Sequence, residues 1–190
     1  MKALLSTLCI LLSGVLAFAQ NDDPQQYFEQ QLLNQLNQLN IIQFSPASTS
    51  GNTAQLFQNG NGHDAAIDQV NPTANQGNTA LLIQNGNIHT ANINMNGAGN
   101  TAEAVQEGRD HTYNLDLDGN RINTQVLQQG DGNTINQTLQ VDGLDYLIVQ
   151  QGTDNTITQT ENDPNTATGL IIRQQGSGMD LIIRNSNIVP

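Results

Sequence analysis

The chain has 190 residues and is acidic, with 5 Lys and Arg against 17 Asp and Glu and a formal net charge of −12. That balance argues against nucleic acid and anionic membrane surfaces as partners, since both call for a basic patch. Asn, Gln, Gly and Thr are abundant, Trp is absent and aromatics make up 4%; so little apolar area leaves a chain disordered unless repetition supplies its contacts.

The first stretch, MKALLSTLCILLSGVLAFAQ, has one basic residue, an apolar run from Leu4 to Leu16 and the small pair Ala17 and Ala19. This is the pattern of a secretory signal peptide over residues 1–19, cleaved before Gln20. Its apolar run is short for a transmembrane anchor, and Cys9 follows Leu8 where a lipoprotein site needs a small residue. The mature chain is thus expected to contain no transmembrane segment, no cysteine and no lysine, with only Arg109, Arg121, Arg173 and Arg184 as cations. Neither disulfides nor thiol chemistry are then available despite export. Residues 20–50 form a Gln/Asn-rich leader and linker. In it Phe28, Leu32, Leu36 and Leu39 stand at helical spacing after Asp23-Pro24, so the segment is either a short amphipathic helix or a disordered export segment.

Residues 51–190 repeat. A Gln recurs at Gln58, Gln84, Gln106, Gln128, Gln150 and Gln174, at spacings of 26, 22, 22, 22 and 24. Two residues after each stands Gly60, Gly86, Gly108, Gly130, Gly152 or Gly176, and five after each stands His63, His89, His111, Asn133, Asn155 or Met179. A unit of 22 divides into a seven-residue strand, a four-residue Gly-bearing turn, a second seven-residue strand and a second turn. Alternation puts Asn52, Ala54, Leu56 and Gln58 on one face, matched by Asn78, Ala80, Leu82 and Gln84 and by Asn100, Ala102, Ala104 and Gln106. The second strand puts His63, Ala65, Ile67 and Gln69 on one face, echoed by His89, Ala91, Ile93 and Met95. The two longer units each hold a Pro, Pro72 and Pro164, and exceed 22 by even numbers, which preserves the in/out parity of the following strand. The fold predicted is all-β: a β-solenoid of six stacked coils, each adding a rung of about 4.8 Å, with inward amides hydrogen-bonded up and down the stack.

The unit resembles the curlin repeat of secreted bacterial amyloid fibres, whose motif is Ser or Asn, five residues, Gln-x-Gly-x-x-Asn-x-Ala, three residues, Gln. NTAQLFQNGNGHDAAIDQ fits at Asn52, Gln58, Gly60, Ala65 and Gln69, with His63 in the Asn place. The second repeat fits at Asn78, Gln84, Gly86 and Ala91 and the third at Asn100, Gln106 and Gly108, while Asn133 and Asn155 restore the motif's Asn. The closing Gln stands only at Gln69, with Met95, Leu117, Leu139, Glu161 and Asn185 elsewhere. The resemblance implies a structural subunit exported by an outer-membrane secretion apparatus and polymerising with itself into extracellular biofilm fibres at the bacterial cell surface. It also implies a partner curlin subunit, major or minor. The sixth repeat carries Arg173, Arg184 and Met179 and is similar to the charged terminal repeat of the minor nucleator, so both subunit types stay open.

Outward positions carry the remaining signals. Phe57, Ile83, Val105, Leu127 and Val149 form an apolar ridge that ends at Arg173, expected to be exposed for lateral association or covered by the leader. Thr90, Thr112, Thr134 and Thr156 form a file that is either plain β-favouring surface or a flat ice-binding face. The three His share one column, read as a neutral donor–acceptor ladder in place of Asn, with a pH sensor as the alternative and no metal assigned. Asp64, Asp68, Glu103, Asp110, Asp131 and Asp154 read as solubilising gatekeepers. With no nucleophile–base set or phosphate loop in view, neither an enzymatic activity nor a cofactor is assigned.

Overall fold

The computed structural model describes residues 51–73, 76–162 and 169–185, together with Gln26, Gln30 and Asn34. The signal-peptide reading, positions 74–75 and 163–168 of the two Pro-bearing loops, and the leader apart from those three exposed helical residues lie outside the described residues. What is described is a β-solenoid of six coils.

Each coil is a strand pair. The first strands are β1 (Thr53–Asn61), β3 (Thr79–Asn87), β5 (Thr101–Arg109), β7 (Asn123–Asp131), β9 (Asp145–Thr153) and β11 (Leu170–Ser177). The second strands are β2 (Asp64–Val70), β4 (Thr90–Asn96), β6 (Thr112–Asp118), β8 (Thr134–Leu139), β10 (Thr156–Glu161) and β12 (Asp180–Asn185). They build two six-stranded parallel sheets, β1-β3-β5-β7-β9-β11 and β2-β4-β6-β8-β10-β12, facing each other across one interior. Register follows the repeat without slippage: Gln58 pairs Gln84, Gln84 pairs Gln106, and so on to Gln174. The even-numbered insertion between the first two coils leaves this register intact.

Alternating inward side chains fill the space between the sheets. Ala80, Leu82, Ala102, Ala104, Val126 and Ile148 from one sheet meet Ala91, Ile93, Tyr113, Leu115, Ile135 and Ile157 from the other in one buried cluster. No coil could bury these groups by itself, because each inward side chain is shielded mainly by its counterparts above and below. The end coils show the converse, with Leu56 in the first 43% exposed although it points inward.

One expectation is corrected and one pair of alternatives is narrowed. The first strand of each coil is longer than seven residues and runs through the Gln-x-Gly to Asn61, Asn87 or Arg109, so the Gly lies in the strand and the turn behind it shrinks to two residues. At φ near 124° the backbone of Gly108 swings sharply, and a Cβ there would run into the carbonyl oxygen of Gly130 in the next coil. Stacked coils approach too closely at this column for any other residue. Of the two alternatives for the apolar ridge, exposure is the one excluded: Ile83, Val105, Leu127 and Val149, widened by Leu81 and Leu147 two residues earlier, form a second buried cluster on the outer face, with Phe57 at its edge. No described strand lies on that face. Beyond it, at the sixth coil, Ile171 is 61% exposed.

The residue ahead of each His, Asn or Met of this column turns left-handed. Gly62, Gly132 and Gly178 do so freely, whereas Ile88 is held at φ 58° while 55% exposed. A β-branched residue there is strained by about 1–2 kcal/mol. Ile88→Asn is therefore expected to stabilise the solenoid by about 0.5–1 kcal/mol, and Gly108→Ala to destabilise it by at least about 2 kcal/mol. Urea midpoints at unchanged slope measure both.

Candidate functional site: the stacked interior and its open ends

The Gln column is continuous through all six coils. Gln58 Nε2 donates to Gln84 Oε1 at 2.8 Å, Gln84 to Gln106 at 2.8 Å, Gln106 to Gln128 at 3.0 Å, Gln128 to Gln150 at 3.1 Å and Gln150 to Gln174 at 2.9 Å. The Nε2 groups of Gln106, Gln128 and Gln150 also reach the facing sheet, donating to the carbonyls of Thr90, Thr112 and Thr134. Such an amide ties two coils vertically and two sheets laterally. A buried bond of this kind contributes about 1 kcal/mol, but losing one member strands partners in both neighbouring coils at about 1–3 kcal/mol each. Every donor points toward the C-terminal coil, so the column has a direction.

The His/Asn column is a second continuous device with the opposite donor sense. The backbone N–H of each coil donates to the side chain below: His89 to His63 Nδ1, His111 to His89 Nδ1 and Asn133 to His111 Nδ1, all at 3.3 Å. Asn155 and Met179 donate likewise to Asn133 and Asn155 Oδ1 at 3.1 Å. Nε2 of His63, His89 and His111 lies 3.2, 3.2 and 2.9 Å from the carbonyls of Asn59, Asn85 and Glu107. A ring that accepts at Nδ1 and donates at Nε2 is the neutral tautomer, which copies an Asn side chain. Rings of neighbouring coils stack with centroids 5.1 Å apart. The lone pair a metal would need is already taken by a backbone N–H, and among the described residues no group of three His, Cys, Asp or Glu is arranged to hold one.

At the opposite turn Asn52, Asn78 and Asn100 do the same work, accepting from the backbone N–H of Asn78, Asn100 and Ile122 at 3.0 Å. Asn78 and Asn100 also donate to the carbonyls of Gly97 and Gly119. Gly60, Gly86, Gly108, Gly130, Gly152 and Gly176 stack in one file. Ala65 and Ala91 sit opposite one another in the apolar interior. Gln69 has no amide above it: its partner is Met95, and its Nε2 donates instead to the Thr53 carbonyl.

The later coils hold polar groups the motif does not announce. Gln137 and Gln159 make a short amide ladder of their own at 3.0 Å, and Gln137 Oε1 accepts from the hydroxyls of Tyr113 and Thr124. It ends badly, since Gln159 Nε2 is buried without a partner beneath Ile183. Tyr146 donates its hydroxyl to the buried carboxylate of Glu161. Burial holds both Tyr113 and Tyr146 well above the usual tyrosine range, helped at Tyr146 by the hydrogen bond to Glu161. These residues were legible only as inward positions 22 apart in an alternating strand.

Outward columns are ladders too. Asn92 donates to Asn114 and Asn114 to Asn136 beside the Thr file, and Arg109 pairs with Asp131 at 3.3 Å on the exposed turn. Asp110 and Asp154 occupy left-handed turn positions, and Asp64 and Asp68 are exposed.

No family model, curated protein or solved structure matches this chain.

Burial lowers the pKa of His89 from 6.5 to about 4, reinforced by the neighbouring rings of His111 and His63 and opposed by its bond to the Asn85 carbonyl and by Asp110. His111 is lowered by the same desolvation, against Glu107's carbonyl, Asp131 and Asp110. A depressed histidine favours the neutral folded state, so its contribution is complete above pH 6.5 and is lost as pH falls toward 4. His89 alone is expected to cost on the order of 2 kcal/mol by pH 5. The triple variant H63N/H89N/H111N keeps both hydrogen bonds of the column and should show a flatter stability profile between about pH 7 and 5, read from urea midpoints.

Proposed function

We propose that this chain is a structural, non-catalytic subunit of an extracellular amyloid-like fibre of the curli type, assembling by stacking of coil on coil. The observation that carries this reading is that, among the described residues, nothing covers either end of the stack. Strands β1 and β2 pair on one side only, as do β11 and β12, leaving backbone donors and acceptors along each edge. Inward residues of the first coil, Asn52, Ala54, Leu56 and Gln58, are exposed, and Leu181 and Ile183 of the last are only partly buried. Ordinary solenoids end in polar caps, and no described residue supplies one.

The curlin-like repeat favours secretion to the bacterial cell surface and a partner subunit there, with the minor, nucleating role as the alternative for a chain whose last coil is distinct. Acidic residues on the surface keep the monomers apart during export. In the second to fourth coils the Thr file is flanked by a column of hydrogen-bonded Asn, and only the fifth coil has Thr at all three outward positions, which offers ice little flat surface.

Purified protein lacking residues 1–19 is expected to form thioflavin-positive fibres with a meridional spacing of about 4.8 Å. Monomers persisting for days at micromolar concentration and neutral pH would sink the reading. Substoichiometric seeds that accelerate a second curlin-like subunit would assign the nucleating role.

A further inference from the structure

The two ends of the solenoid are unlike each other. The first coil carries Asp64 and Asp68 on its exposed face and no cation, whereas the last carries Arg173 and Arg184 with Asp180. The established columns can be continued past the sixth coil onto the first coil of another molecule. One of them already runs Asp68, Asn94, Asp116, Thr138, Thr160, Arg184 in strict register. Continuation sets Arg184 over Asp68, Asn185 over Gln69, Ile183 over Ile67, Ile172 over Leu56 and Gln174 over Gln58. Apolar meets apolar in the interior, amide meets amide and Arg184 meets Asp68, while the same continuation also sets Asp180 over Asp64 and Arg173 over Phe57. The Gln column adds direction: it begins with Gln58, whose Nε2 is spent on Gln84, so its Oε1 faces outward as an acceptor. The opposite polarity, first coil on first coil, would oppose acceptor to acceptor in this column.

One column does not continue. In each coil from the first to the fifth, a His Nδ1 or Asn Oδ1 accepts the backbone N–H of the coil above, and Asn133 and Asn155 also donate to the carbonyls of Gly152 and Gly176 at 2.9 and 2.8 Å. The sixth coil has Met179 there, whose thioether is at best a weak acceptor and carries no proton to donate.

We propose that the C-terminal coil is a docking surface for the N-terminal coil of a second copy of this chain, in continued register with Arg184 on Asp68, and that Met179 makes this joint the weakest coil-to-coil contact in the assembly. This rests on the stacking role proposed above and adds its polarity, its register and its limiting residue. The weakness has a use: a subunit must hold together more tightly than it holds its neighbour if it is to be exported singly.

The test uses disulfide capture of soluble encounters, so it does not require fibres. In a chain with Cys9→Ser, Asn59→Cys and Gln175→Cys are prepared as separate single variants; both positions are outward, exposed and in one column. Adjacent strands set Cα atoms within disulfide range. Mixed and oxidised, the N59C and Q175C chains should yield their heterodimer several-fold above either homodimer. Arg184→Asp in the Q175C chain should reduce that yield, and Asp68→Arg in the N59C chain should restore it. Met179→Asn in the Q175C chain should raise it about tenfold through the two hydrogen bonds regained. Homodimers equal to or exceeding the heterodimer, or no rescue by the charge swap, would overturn the joint. Fibres without this cross-linking pattern would retire the joint and keep the fibre role; the heterodimer without fibres would do the reverse.

Discussion

The vertical distance between parallel strands, about 4.8 Å, is the constraint from which the rest of this molecule follows. At that spacing a carboxamide reaches its own copy in the next coil and little else, so a column of Gln satisfies itself only if every coil keeps the same phase. The continuous run from Gln58 to Gln174 meets that condition, and its side bonds to the Thr carbonyls fix the separation of the two sheets as well. The same spacing admits only Gly where Gly86, Gly108 and Gly130 stack, because carbonyl and Cα come too close for a side chain. A composition poor in apolar groups is thereby made to fold: polar interior atoms replace much of a hydrophobic core, on the condition that nearly all are paired. Gln159 is the exception that marks where a ladder stops.

Chemical interchange within a column is informative. His and Asn follow one another in the same file because the contact asks for an acceptor toward the next backbone N–H and a donor toward a carbonyl, which both provide when His is neutral. Charging the ring would place a proton where the N–H already points. The protonation state is thus set by the stack, and burial at His89 and His111 acts in the same direction. Met179, in contrast, fits the space and lacks the chemistry.

Folding and the association proposed above would draw on one interaction, and their difference is a matter of where the columns are interrupted. Within the chain, a new coil lands on a surface tethered close by and meets complete columns. In the proposed joint between chains it would meet the same backbone edge and the same Gln, with one column missing. Surface acids restrain encounter at a distance, while contact is governed by the coil faces.

The phase of the repeat determined a great deal by itself. The six coils, the pairing of Gln58 with Gln84 and onward, the inward side of each strand and the shared column of His63, His89 and His111 all follow from side-chain alternation and a near-constant spacing, because each coil's environment is a copy of itself. What the repeat could not carry was whatever depends on unlike neighbours. The outer ridge of Ile83, Val105 and Leu127 read as either exposed or covered, since nothing in a strand's own alternation says what lies on its outer face; the structure buries it. Tyr146 on Glu161, and Tyr113 with Thr124 on Gln137, join residues from facing sheets that share no motif position. The extension of the first strand through the Gly, and the shrinkage of the turn behind it, were decided by the backbone hydrogen bonds of the coils above and below. Periodicity fixes which residues stack, because stacking relates like to like; only the assembled sheets decide what each stack faces, because facing relates unlike to unlike.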